Sequence, residues 1–471
     1  TNKDNFQYYK GTQYVGSEVS GTDSVILNAN KDINVKGSMI ASDGTVQLTA
    51  ENINIVNEKE TRQLDSKSKV KRSLSSTESE MKSYQEGAVG STIVGNNVIL
   101  DATNDINIKA SNVIAIKDGI ENTGGNIIAT AGNNINILAE TLDNSYYSKV
   151  KSSGFSTSFE TGGGGFTAGV SYNKNSLEQT SNGTTVAVST LMSEGSTLLD
   201  AGNKIRTEAM QANIGEDLII KGKNGVELLD AKETYEEKTK QKSSTIGVTA
   251  SLSSTVTSFA DTANNMYNNK DKYGTDNASQ MINTLGDGFT LFRGGVSAFN
   301  DGQAIYDSLV SGIHPANPLA GISASVSLSV SKSSFESNTS GTKSIAGNIN
   351  VGGNMIVESE GDVRFVNQKI NVGENILIDA KSFEARAGEN TYTNDTKSSS
   401  SGGSIGYDFG QGTAIGGING GKGNSNTTSK SYDNTVINAG GTFQLITKED
   451  VTFAGANVKA DKINFDIGGN L

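Results

Sequence analysis

Short runs of alternating apolar and polar residues, interrupted by Asn, Asp and Gly, recur along the whole chain. The stretch SVILNANKDINVKGS (24–38) returns as NVILDATNDINIKAS (97–111), STLLDAGNKIRTEAM (196–210), NMIVESEGDVRFVNQ (354–368) and TFQLITKEDVTFAGA (442–456). In each, two strands flank a polar turn: Val25 and Leu27 then Ile33 and Val35 in the first, Phe443 and Leu445 then Val451 and Phe453 in the last. Alternation at period two buries one face of a strand and leaves the other to water. A shorter echo follows each copy: VQLTAENINI (46–55), NIIATAGNNINI (126–137), DLIIKGKNGVEL (217–228), NILIDAKSFEA (375–385) and KINFDIGGNL (462–471).

The interval between copy and echo, about 20 residues, is the length of one coil of a narrow parallel β-helix. Strands repeated at a fixed coil length stack parallel, about 4.8 Å apart, and their inward Val, Ile and Leu form ladders. The pattern therefore predicts an all-β chain, a right-handed parallel β-helix of about ten coils and roughly 48 Å long. An antiparallel barrel or sandwich could use the same short strands, but has no reason to keep such a register. Coils are expected at 1–56, 93–139, 190–229, 345–387 and 435–471.

Four insertions separate the coil blocks, at 57–92, 140–189, 230–344 and 388–434. Each leaves through a polar, Lys/Ser-rich stretch such as EKETRQLDSKSKVKRS or AKETYEEKTKQKSST, and most return through a Ser/Asn/Thr-rich arm. Out, turn and back is a hairpin. Ile246, Val248, Ala250 and Leu252 alternate, as do Ile322, Ala324, Val326, Leu328 and Val330, so these arms are expected to pair. Single ribbons are marginal alone, which predicts that the hairpins lie side by side as a second sheet. Phe155, Phe159, Phe166, Val170 and Tyr172, with Ile405, Tyr407, Phe409, Ile415 and Ile418, would supply one apolar face. Over 256–318 the spacing becomes helical (Phe259, Ala263, Met266 and Tyr267; Met281, Ile282, Leu285 and Phe289), predicting a small α-helical insertion that ends near Pro315 and Pro318.

Composition fits an array better than several globules: 471 residues carry 55 Gly, 2 Pro, no Cys and no Trp, with 34% apolar residues. Each repeat buries only a narrow strip, so this fraction suffices. The net charge of −12 is opposite in sign to that of a typical nucleic-acid binder, and no nucleic-acid partner is expected. No run of 18 apolar residues exists, and TNKDNFQYYK lacks a signal-peptide core. The chain stops inside a repeat at DIGGNL, so it reads as a piece of a longer protein.

Candidate chemistry is thin, and neither cofactor, metal nor catalytic residues are expected. Without Cys, and with His314 as the single histidine, thiol chemistry and His-paired metal sites are absent. Asp32, Asp105, Asp217, Asp362 and Asp450 could in principle serve acid-based sugar cleavage on a coil face. A residue recurring once per repeat before a strand is more simply a turn former. The Gly-rich GGGG (162–165), SSSSGG (398–403) and GGINGGKG (416–423) do not fit a phosphate loop and read as turns and tips. Lys67, Lys69, Lys71 and Arg72 form a cationic run that suits an anionic surface or a solvated strand face.

The paired blocks GNNVILDATNDINIKAS and VKADKINFDIGGNL, joined to Ser/Lys-rich excursions and Thr/Asn-rich re-entries, resemble the haemagglutinin-repeat region of filamentous-haemagglutinin-like exoproteins. That family includes the large contact-dependent growth-inhibition toxins. The resemblance implies a two-partner secretion substrate, exported through an outer-membrane pore and displayed on or released from a Gram-negative cell. It further implies either toxin delivery at a target-cell outer membrane, or an adhesin stalk or binding module for a host-cell receptor.

Overall fold

A computed structural model describes residues 4–119, 122–162, 165–254, 322–408 and 412–471. The expected helical insertion at 256–318, with His314, lies outside the described residues. The rest is a parallel β-helix with a large antiparallel sheet beside it. Three parallel sheets of ten, ten and nine strands wall the helix, which makes ten coils, and the lateral sheet has nine strands. Coil 3 shows the plan: Thr92–Gly95 on face I, Asn97–Ala102 on face II and Ile106–Lys109 on face III.

Register is held by ladders of like residues. On face II Leu48, Leu100 and Ala129 stand one above another; on face III Ile53, Ile106, Ile135 and Ile205 do the same. All are fully buried. Burying each such side chain is worth about 1.5–3 kcal/mol, and a one-residue slip would turn a whole strand's apolar set outward. Toward the C-terminal coils the ladder becomes aromatic. Phe383 lies edge-on to Phe365 at 5.2 Å and to Phe453 at 5.7 Å, and Phe453 stacks on Phe465 at 5.7 Å.

Outside the wall, polar residues repeat the same logic. Asn54 donates to Asn34, Asn107 to Asn54 and Asn136 to Asn107, each at 2.9 Å. The same column continues as Arg206, Glu227, Arg364 and Glu384, with ion pairs of 3.2 Å (Arg206–Glu227) and 2.9 Å (Arg364–Glu384). An identical amide or an opposite charge satisfies a side chain whose neighbours are fixed 4.8 Å away.

The corner between faces III and I decides where hairpins leave. In alternate coils it is a tight turn with one residue in the left-handed region: Gly37, Ala110, Ala209, Asn367 and Gly455, at φ 49°, 43°, 46°, 47° and 74°. In the coils between, the equivalent residues are Asn57, Ala139, Asp230 and Ala387, and a hairpin follows each. Backbone bonds confirm the equivalence, since Gly37 N–H donates to Val56 and Asn57 N–H to Lys109. Serines seal the corner: Ser91 Oγ lies 2.9 Å from the Val35 carbonyl oxygen and 2.7 Å from that of Val56, and accepts from Ser38 N–H.

The four hairpins are Glu58–Arg72 with Ser75–Val89, Glu140–Gly162 with Gly165–Ala187, Ala231–Ser254 with Ile322–Ile345, and Gly388–Asp408 with Thr413–Asp433. Ile246 pairs with Val330 and Val248 with Leu328, as the alternation predicts. One assignment is corrected. Phe6–Thr12 belongs to the lateral sheet, antiparallel to Glu58–Arg72, and not to a coil. It precedes coil 1 as a returning arm precedes coils 3, 5, 7 and 9, and its polar, aromatic FQYYKGT carries no inward ladder residues. Each of coils 1–9 thus contributes one lateral strand, so both sheets advance by the same rise of about 4.8 Å.

Candidate interaction surface on the lateral sheet

The aspartates singled out in the sequence stand at coil corners as hydrogen-bond acceptors. Asp32 accepts from Asn52 Nδ2 at 2.8 Å, Asp105 from Asn134 N–H at 2.9 Å, Asp217 from Asn354 N–H at 2.7 Å, Asp362 from Ser382 Oγ at 2.8 Å and Asp450 from Asn470 N–H at 2.7 Å. They belong to coils 1, 3, 6, 7 and 9, so the fold spreads them along the rod instead of bringing them together. Among the described residues no group of three or more His, Asp or Glu is placed to hold a metal ion. Of the Gly-rich motifs, SSSSGG and GGINGGKG are not turns. Their residues pair with one another along the arms of the fourth hairpin, where missing side chains let two strands lie in register without clash.

The lateral sheet is organised in rows that cross its strands. Near the rod, Lys67, Glu80, Lys149, Glu178, Lys240, Glu336 and Lys397 lie opposite one another in sequence, alternating in sign. Ion pairs form along it, at 2.5 Å for Lys149–Glu178 and 3.4 Å for Lys240–Glu336. Two residues outward on the same face, the next two rows hold Lys69, Glu78, Lys151, Ser176, Lys242, Ser334, Ser399 and Lys422, then Lys71, Ser76, Ser153, Lys174, Ser244, Lys332 and Ser401. Of the two carboxylates here, Asp4 lies 3.9 Å from Lys69, and Glu78 is engaged by Lys67 at 3.3 Å and Lys69 at 3.9 Å. Hydrogen bonding to Lys67 holds its carboxyl below the usual range. Lys151 faces Glu78 across the strand without an ion pair, and among the described residues Lys71, Lys174, Lys242, Lys332 and Lys422 pair with no carboxylate. Arg72 falls on the opposite face from Lys71.

Beyond the lysines the same face turns apolar. Phe155, Tyr172, Ile246, Val330 and Ile418 share a row, Val170, Val248, Leu328 and Ile405 the next, and Phe159, Val326 and Tyr407 the third. These side chains are exposed to an unusual degree: Phe159 54%, Ile246 53%, Ile405 67% and Ile418 95%. The opposite face carries Ser156, Ser171, Thr249, Ser251, Ser325 and Ser327, whose hydroxyls bond across strands, as in Ser156–Ser171 and Ser251–Ser325 at 2.7 Å. Ile415 is a correction: it pairs with Gly406 and stands three residues from Ile418 on one strand, an odd separation that places it on this polar face.

A charge knot ties the base of the sheet to the rod. Glu86 accepts from Asp143 N–H and from Lys59, both at 2.9 Å; Lys59 also reaches Glu140 at 3.2 Å, which pairs with Lys109 of coil 3 at 2.6 Å. The Asp143 and Lys59 bonds, in that order, hold the Glu86 carboxyl below its ordinary value although burial opposes them. A depressed carboxyl contributes stability present above its unfolded pKa and lost as pH falls through the lower folded value. Hydrogen exchange should therefore show hairpins 1 and 2 loosening at their bases on acidification through and below the carboxylate range, while Leu100 and Ile106 stay protected. Bases as protected in acid as at neutral pH would refute this role for the knot.

The chain belongs to the hemagglutinin repeat family, whose model matches residues 2–75, 70–203, 170–291 and 328–471. Its stacked coils are that family's structural repeat. It is similar to the deoxyribonuclease CdiA of Dickeya dadantii strain 3937, 27% identical over 391 residues that make up 81% of this chain and 11% of the relative. The tRNA nuclease CdiA of Escherichia coli O6:K15:H31 is 25% identical over 402 residues, 81% of this chain and 12% of its own length. The toxin CdiA of Escherichia coli is 26% identical over 409 residues, with the same coverage of each. The chain thus spans about an eighth of these relatives. No solved structure gives a significant match.

Proposed function

We propose that this segment is a non-catalytic structural and delivery module of a large exoprotein of the contact-dependent growth-inhibition type. It would be exported through a two-partner outer-membrane pore and carried on the surface of a Gram-negative cell, with the lateral sheet engaging the outer membrane of a target cell. The nuclease activities in the relatives' names belong, in this reading, to parts of those proteins outside the matched stretch. The carrying observation is the distal part of the sheet: an exposed apolar face backed by a self-bonded Ser/Thr face. Its strands resemble membrane β-strands of about 9–11 residues, apolar on one side and small or polar on the other. An exposed apolar patch of this extent marks an interaction site.

The test is flotation of the purified segment with outer-membrane vesicles. The parent chain should associate and resist carbonate, whereas a form lacking all four hairpins, and one carrying Ile246→Ser, Val248→Ser, Leu328→Ser, Val330→Ser and Ile405→Ser, should stay in solution. A parent chain that remains soluble beside the vesicles would sink the membrane reading and favour an adhesin stalk.

A further inference from the structure

Resting on that membrane reading, we propose that the two lysine rows form a collar that binds the phosphate groups of lipid headgroups when the apolar rows beyond them meet the acyl layer. Position is the first argument. Successive rows on one face stand about 7 Å apart, two residues of strand, so the collar lies where headgroups would lie if the next three rows were apposed to hydrocarbon. Lysines at that depth keep their stems on apolar surface and their ammonium groups in the polar layer.

Charge is the second. Nearer the rod, each lysine faces a glutamate across the strand; in the collar serine stands in place of glutamate everywhere but at Glu78, which Lys67 and Lys69 engage and Lys151 faces, and Lys71, Lys174, Lys242, Lys332 and Lys422 have no carboxylate partner among the described residues. A sheet needing only pairing stability would have continued the alternation. The replacement opens a furrow of about 790 Å³ over the strands, where Lys151, Lys174, Lys242 and Lys332 project among Ser153 and Ser244. Ammonium groups and serine hydroxyls together are donors suited to phosphate oxygens. The whole chain carries −12. An anionic membrane would therefore repel most of the molecule and attract this band, which fixes the sheet's orientation as well as its affinity.

The experiment uses the full segment and liposomes of phosphatidylcholine alone or with phosphatidylglycerol. It compares the parent with Lys151→Gln, Lys174→Gln, Lys242→Gln and Lys332→Gln combined, and with a control of equal net charge, Lys31→Gln, Lys223→Gln, Lys448→Gln and Lys462→Gln, on the coils. Each lysine near an anionic surface contributes roughly fivefold to partitioning. The collar variant should lose that gain on the phosphatidylglycerol liposomes, the control should keep it, and added salt should erase the difference. Hydrogen exchange should show both variants folded, since these lysines are exposed. Equal binding to both liposomes by the parent, or equal loss in the control, overturns the collar and leaves the membrane reading standing. Failure to bind either liposome or any outer-membrane vesicle overturns both.

Discussion

Deleting residues 111–139, one coil, should strip hydrogen-exchange protection from an arm of hairpin 1 or hairpin 2, whereas deleting the longer 111–209 should leave the seven remaining lateral strands protected. Each coil supplies one lateral strand, so coil 2 sends out Glu58–Arg72 and coil 3 receives Ser75–Val89. With coil 4 gone, coil 3 must also emit Glu140–Gly162, placing two strands at one level about 4.8 Å high. The pairing from Gly154 with Ser75 to Asn144 with Gln85 cannot then form in place. That is about ten interstrand hydrogen bonds at about 1 kcal/mol net each. The longer deletion removes two coils and a hairpin and joins Ala110 to Met210, the residue that follows the equivalent corner. Equal protection in the two deletions would show that the sheets are not geared strand for coil.

Phe383→Ala should cost about 3–5 kcal/mol, the range for truncating a fully buried phenylalanine. The loss exceeds that of an aliphatic rung because the ring packs edge-on against both Phe365 and Phe453. In a stack where each repeat touches only its neighbours, damage stays local. Denaturant-dependent hydrogen exchange should show coils 7–10 opening early while Ile55, Leu100 and Ile108 open at the parent concentration. Uniform weakening along the rod would mean that the array unfolds as one cooperative body.

The coils were legible because burial imposes period two, and a repeated register leaves the same residue type in each ladder. The corner aspartates were readable as recurring turn positions, but the backbone N–H groups that Asp105 and Asp450 accept belong to Asn134 and Asn470 of the next coil and not to their own turn. Three features were not legible. Phe6–Thr12 has no apolar alternation to mark it, because its place at the sheet's edge asks for none. Ala110 and Ala209 sit in the left-handed region, which costs an L-residue about 1–2 kcal/mol and which alanine does not advertise. The lysine rows depend on which residues of distant arms stand opposite, and that register is set by the rod. The signal was nonetheless present: each arm of the second and third hairpins has a lysine two to four residues from the rod-side end of its apolar stretch, at Lys151, Lys174, Lys242 and Lys332.

The alternation of tight and open corners also limits how a gene for such a protein can change length. Recombination between similar repeats that misalign by an odd number of coils would bring together two corners of opposite kind and yield a crowded or gapped lateral sheet. Misalignment by an even number joins like to like and gives a shorter or longer molecule with both sheets in step. Inheritance of length in this architecture is therefore counted in pairs, and the left-handed residue at every second corner keeps the parity.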